Sequence, residues 1–182
     1  MLRSQQPKGS IMLRTSQIWV AIYLCSIVLA NMIIVWFGPG ASIINAFVLI
    51  GLDLSLRDRL HDAWEGKQLW LKMFALICSG SVITILLNLE AMPIAIASAV
   101  AFGVSGLGDA FVYQFLRKYQ YLLRVNGSNV VGSALDSLIF PTLAFGALMP
   151  EIVIGQFLAK IVGGGLWSVL LRKWKSQTEE VV

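Results

Sequence analysis

Three carboxylates and one amine stand inside apolar runs of bilayer-spanning length: Asp53, Asp109, Asp136 and Lys160. A charge at the centre of a spanning helix costs roughly 2.5–3.5 kcal/mol on insertion scales, so four unpaired ones would cost on the order of 10 kcal/mol. Groups held at such a cost line a cavity, a relay or a ligand site, and they pair with one another. Lys160 is the natural counter-ion for Asp136 or Asp53.

A second concentration of polar groups, Asp53, Arg57, Asp58, His61, Asp62 and Glu65, lies in one short stretch. Asp53 and Arg57 are four apart, as are Arg57 and His61, and Asp58 and Asp62, so each pair shares a helix face. The stretch reads as a solvated cytoplasmic helix end, with an Asp53–Arg57 pair as an inner gate. Asp58-x-x-His61-Asp62 has metal-ligand side chains and founds a rival reading, a membrane-embedded enzyme with an Asp/His site at the cytoplasmic face. The chain has one histidine, no CxxC, HExxH or P-loop pattern, and not the Asp-rich pattern of membrane phosphotransferases. The expectation is therefore no enzyme, no metal and no cofactor. A small membrane scaffold or pore protein is the other alternative.

The elements that must hold these groups follow from composition. Of 182 residues, 57% are hydrophobic and 13% charged, and the mean hydropathy is +0.76. Soluble domains carry about 25% charged residues. The chain is expected to be an all-α integral membrane protein. Its net charge of +4 sits in short turns and sets topology rather than a nucleic-acid surface. Cys25 and Cys78 lie in apolar runs and read as small packing residues.

Six runs are separated by turn signals. Ile18 to Phe37 holds about 20 uncharged residues, enough for a ~30 Å core, and ends at Gly38-Pro39-Gly40. No A-x-A site follows it, so it is expected to span rather than to be cleaved. The second run starts near Ala41 and passes Leu56 into the charged turn Arg57 to Lys67. The others are Leu69 to Leu89, Pro93 to Leu116, Ser128 to Leu148 and Glu151 to Leu171. Every Lys and Arg except Lys160 falls in the N-terminal tail or near alternate turns, which places both termini in the cytoplasm. The expected layout is a cytoplasmic tail over 1–15, a six-helix transmembrane domain over 16–175 and a cytoplasmic tail over 176–182. Trp19, Trp70 and Trp174 stand near span ends, as interfacial aromatics do.

Helical rise sets the depths of the polar groups. Lys160 is about ten residues from the outer end of its run, on the order of 15 Å, close to the midplane. Asp136 falls at a similar depth, Asp53 in the inner half, and Asp109 nearer the cytoplasmic end. Stripes of small, polar and aromatic residues run through the same faces. They are Gln156, Lys160, Gly164 and Trp167; Ser98, Phe102, Ser105, Asp109 and Tyr113; and Ser128, Gly132, Asp136 and Phe140, with Asn129, Ser133 and Ser137 beside them. The glycines of Gly163-Gly164-Gly165 and Gly103-Val104-Ser105-Gly106 read as close helix packing. Pro141 either kinks its helix or leaves a carbonyl free for a ligand.

These residues carry a resemblance. Asp53-Leu54-x-x-Arg57, Gly108-Asp109-Ala110-Phe111-Val112-Tyr113-Gln114, Ser128-x-x-x-Gly132-x-x-x-Asp136-Ser137-x-x-Phe140 and the mid-helix Lys160 are similar to segments of the queuosine precursor transporters, the vitamin uptake transporter family. The resemblance spans the second to sixth helices. Ser133 stands where many members have Gln, and the Asp58 to Trp64 turn is unusual. The resemblance implies uptake of a 7-deazaguanine base such as 7-cyano-7-deazaguanine across a bacterial inner membrane, for tRNA or DNA modification. It implies a purine-like substrate and the lipid bilayer as partners and no nucleic acid, and leaves a homodimer open.

The residue types suit that ligand. A carboxylate accepts two adjacent N–H donors of a guanine-like edge at once, a task for Asp136 or Asp53, with Asp109 also in the candidate set. Asn129, Gln114 and Gln156 match the ring carbonyl and nitrogens, and Ser137 stands next to Asp136. Phe140, Phe111, Tyr113 or Trp167 offers a stacking face worth about 1–3 kcal/mol. Lys160 is expected to donate to a nitrile or carbonyl, or to neutralise the empty site.

Overall fold

Long apolar runs leave the backbone one economical way to satisfy its N–H and C=O groups in lipid, the helix. The computed structural model describes residues 8–64 and 68–180, and among them there is no strand. Helix α1 is Lys8–Phe37 and ends where Gly38 takes a left-handed φ of 69° ahead of Pro39. A 3-10 turn Pro39–Ala41, the short α2 Ser42–Asn45, a π turn Ala46–Ile50 and α3 Gly51–Ala63 then form one continuous second traverse. Helix α4 is Leu69–Leu87, α5 is Met92–Phe115, α6 is Tyr121–Phe145 and α7 is Pro150–Glu180.

Four helices differ in extent from the sequence reading, and α1 is the first, being helical from Lys8, inside the tail expected over 1–15. Helix α3 continues through the charged stretch to Ala63, because nothing in it breaks a helix. Helix α6 starts at Tyr121 and stops at Phe145, where Gly146 adopts a left-handed φ of 69°. Helix α7 passes through Arg172-Lys173-Trp174-Lys175 to Glu180, since leaving the apolar stretch removes no backbone hydrogen bond. The tail expected over 176–182 is thus helical through Glu180.

Among the described residues, five stretches have the length and hydropathy to cross a membrane: Ser16–Phe37, Pro39–Leu60, Leu69–Leu87, Leu89–Lys118 and Pro150–Leu171. Helix α6 is diluted by Ser128, Asn129, Ser133, Asp136, Ser137 and Pro141, yet its 25 residues match the others in length. The outer surface confirms an all-α membrane bundle. Leu86, Phe111 and Phe115 are 77%, 74% and 74% exposed, while Asp53, Gln156 and Lys160 are buried. Apolar groups face outward and polar ones inward, the pattern of a protein whose solvent is lipid.

Three packings position the interior. Helices α5 and α6 form a long antiparallel hairpin, α3 lies along α7, and α1 packs against α3 and α4. The α3–α7 crossing is close because Gly51 faces the backbone of Gly163 and Gly164. A Cβ there would stand 2.8 Å from the Gly163 carbonyl carbon and 2.9 Å from the Gly164 nitrogen. Ser55 Oγ donates to the Gly164 carbonyl at 3.0 Å, and Trp167 Nε1 to the Val48 carbonyl, in the π turn, at 2.8 Å. The packing expected of the 163–165 glycines is thus present, whereas Gly103 and Gly106 have open space beside them. Tyr23, Ile27, Leu56, Leu60, Met73, Leu76, Phe102 and Leu171 form a buried apolar cluster.

Candidate functional site

At the centre of the bundle Lys160 and Asp136 form an ion pair. Lys160 Nζ lies 2.6 Å from Asp136 Oδ2, with the two side chains 2% and 9% exposed. The ammonium has three protons and three acceptors: Asp136, Ser137 Oγ at 2.9 Å, and Gln156 Oε1 at 3.2 Å. Helix geometry explains the set. Gln156 stands one turn before Lys160 on α7, and Asp136 and Ser137 are neighbours on α6. Pro141, inside α6, supplies no N–H to the Ser137 carbonyl one turn earlier.

The pair opens onto a cavity built from five spans. Asn31 comes from α1, Ser42 and Asn45 from α2, Ser98 and Phe102 from α5, Asp136 and Phe140 from α6, and Gln156 and Lys160 from α7. Its volume is about 20 Å³, room for about one water molecule. Sites that hold a drug-sized ligand measure roughly 300–1,000 Å³. As it stands the cavity is smaller than a purine-sized ring system needs.

Two buried polar atoms in this lining have no hydrogen-bond partner: Asn45 Oδ1 and Gln156 Nε2. The other end of each amide is already engaged. Asn45 Nδ2 donates to the Ala30 carbonyl at 3.0 Å, and Gln156 Oε1 accepts from Lys160. What remains is one acceptor and one donor group next to a carboxylate and an ammonium, and a buried polar atom left unpaired costs about 1–3 kcal/mol. Phe102 and Phe140 supply the apolar part of the wall. The remaining amide, Asn31, donates to Thr84 Oγ1 at 3.4 Å, and Ser42 Oγ to the Pro39 carbonyl at 2.6 Å.

The structure brings together Asp136, Lys160, Ser137, Phe140 and Gln156, and of the two acids weighed as counter-ion for Lys160 it pairs Asp136. Asp53 does not line the cavity. It is buried on α3, with one carboxylate oxygen against Ser26 Oγ of α1. The Asp53–Arg57 gate pair is not formed, because Asp53 turns to α1. Asp109 stands against Gly132 at the α5–α6 interface, outside the cavity, with a buried Oδ1 lacking a partner. Asn129 lies seven residues before Asp136, about 10 Å along the axis, and is absent from the lining. Gln114 is exposed near the end of α5, and Phe111 faces outward. Trp167 is engaged by the π turn rather than by the cavity. The side chains of His61 and Asp62 lie outside the described residues.

Asn31, Ser42 and Asn45 were not in the candidate set. Their signal was present but faint: an amide or hydroxyl within an apolar run is uncharged and still has to find a partner in lipid.

No curated protein and no solved structure matches the chain. Residues 14–170 match the family described as "Putative vitamin uptake transporter". With most of its length so matched and a polar cavity inside a lipid-facing bundle, the chain belongs to the vitamin uptake transporter family.

Proposed function

We propose that this transporter imports a 7-deazaguanine base, such as 7-cyano-7-deazaguanine, across a bacterial inner membrane with both chain termini in the cytoplasm. The observation that carries this reading is the set of groups around the cavity: a carboxylate, an ammonium, a free amide carbonyl and a free amide NH₂ between two phenylalanines. A guanine-like edge has adjacent N–H donors that suit a carboxylate, and a carbonyl and ring nitrogen that suit Gln156 and Lys160. Its flat face suits Phe102 or Phe140.

Lys160 neutralises Asp136 and holds the site together. An arriving base exchanges partners with the pair. Its N–H groups take the carboxylate, and the ammonium turns to the nitrile or carbonyl. The unpartnered Asn45 Oδ1 and Gln156 Nε2 gain their hydrogen bonds in the same step. Ligand binding thus replaces every polar contact it breaks, which lets the site open and close without leaving a charge bare in lipid.

The test is uptake in a bacterial strain unable to synthesise the deazaguanine base, scored by queuosine in its tRNA. The wild-type chain restores queuosine, and Asp136→Asn and Lys160→Met do not. Normal queuosine with both variants would refute the site, and no queuosine with the wild type would refute the substrate.

A further inference from the structure

Asp53 is a second buried acid, apart from the ligand cavity. It is 2% exposed, and no cation lies within salt-bridge distance of it among the described residues. Its Oδ1 contacts Ser26 Oγ and its Oδ2 has no partner. Tyr23 from α1, Arg57 from its own helix and Asp136 from α6 lie within electrostatic reach of it. Asp136 is already neutralised by Lys160.

The hydroxyl of Ser26 has one proton but two acceptors at hand, the Tyr23 carbonyl at 2.9 Å and the Asp53 carboxylate. If that proton serves the carbonyl, the facing carboxylate oxygen needs a proton of its own. An ionised, unpaired carboxylate at this depth is costly, and the neutral acid supplies the missing proton.

We propose that Asp53 is a proton-carrying site that couples uptake to the proton gradient. This rests on the transporter reading above. One proton from the outer side forms the O–H bond on Asp53. The same bond breaks on the inner side, and the proton leaves to cytoplasmic water with no electron transferred. A neutral base then moves inward with one positive charge. The position suits the task. Asp53 lies near Tyr23 and Leu56 of the apolar cluster, on the helix whose Gly51 and Ser55 touch the helix of Lys160. These contacts are the route by which partner exchange at Lys160 is coupled to the acid.

Purified protein in proteoliposomes, with the membrane potential clamped, tests this with labelled 7-cyano-7-deazaguanine. For one proton per molecule, a one-unit inward pH gradient supports about tenfold accumulation in the wild type. Asp53→Asn keeps exchange of internal for external base at equal pH, but its accumulation falls to unity. Wild-type accumulation that ignores the pH gradient, or an Asp53→Asn variant that still follows it, overturns the coupling. A second measurement needs no substrate. In infrared spectra of the purified protein, Asp53→Asn removes a carboxylic-acid C=O band that Asp136→Asn leaves in place, and Ser26→Ala shifts that band. A spectrum unchanged in Asp53→Asn and Ser26→Ala overturns the proton assignment. Absence of any exchange in the wild type refutes the substrate reading instead, and the infrared result still decides whether Asp53 carries a proton.

Discussion

Replacing Lys160 by methionine is the sharpest perturbation of the central site. Methionine keeps the length of the aliphatic stem and removes the ammonium. Asp136 then loses the cation 2.6 Å away, and Gln156 Oε1 loses its donor, in side chains that are nearly inaccessible. Breaking a buried pair from one side costs about 3–5 kcal/mol, most of it the penalty of a bare charge. For a chain of this size each kcal/mol is about 2–4 °C in Tm, so the variant should melt roughly 10 °C lower. The double variant Lys160→Met/Asp136→Leu removes both charges and fills similar volume. Such replacements are neutral or stabilising by about 1–4 kcal/mol. The assay is thermal unfolding of detergent-solubilised wild type, both single variants and the double, read as a double-mutant cycle. The double variant should recover most of the lost stability and still fail to transport. A Lys160→Met protein that melts with the wild type, or a double variant no better than the singles, would refute the buried pair.

Other consequences follow from particular contacts. Gly51→Ala drives a Cβ into the backbone of Gly163 and Gly164 and should destabilise by about 1–3 kcal/mol, whereas Gly103→Ala, with open space beside it, should not; denaturation midpoints separate the two. Asn45→Leu and Gln156→Leu should each weaken substrate binding roughly tenfold to a hundredfold, by loss of one partner worth about 1.5–3 kcal/mol, with the fold retained by circular dichroism. Phe140→Leu should raise the Kd by about tenfold or more if its ring stacks on the base, and leave it unchanged if the ring is only wall. Trp167→Phe removes the donor to the Val48 carbonyl in the π turn and should cost about 1 kcal/mol in chemical denaturation.

Much of this was legible in the sequence, for physical reasons. Gly38-Pro39-Gly40 ends the first apolar run, and lipid admits few structures other than helices. Asp136 and Lys160 were placed at one depth by helical rise alone, and their opposite charges argued for a pair. Asp53 was harder. The π turn Ala46–Ile50 adds a residue to one turn and rotates every later side chain, so extrapolating the face of the second span misplaces the acid. Asn129 and Gln114 share a polar character with the site but lie too far along their helices to reach it. Asn31 and Asn45 were hidden because uncharged amides barely disturb hydropathy, although they line the cavity.

The most direct measurement is equilibrium binding of labelled 7-cyano-7-deazaguanine to the purified protein in lipid nanodiscs. Wild type should bind it saturably, with excess unlabelled base displacing the label. Asp136→Asn should lose at least tenfold in affinity, because the carboxylate that accepts both N–H donors becomes a neutral amide. Saturable binding of equal strength in Asp136→Asn, or none in a folded wild type, would contradict the account.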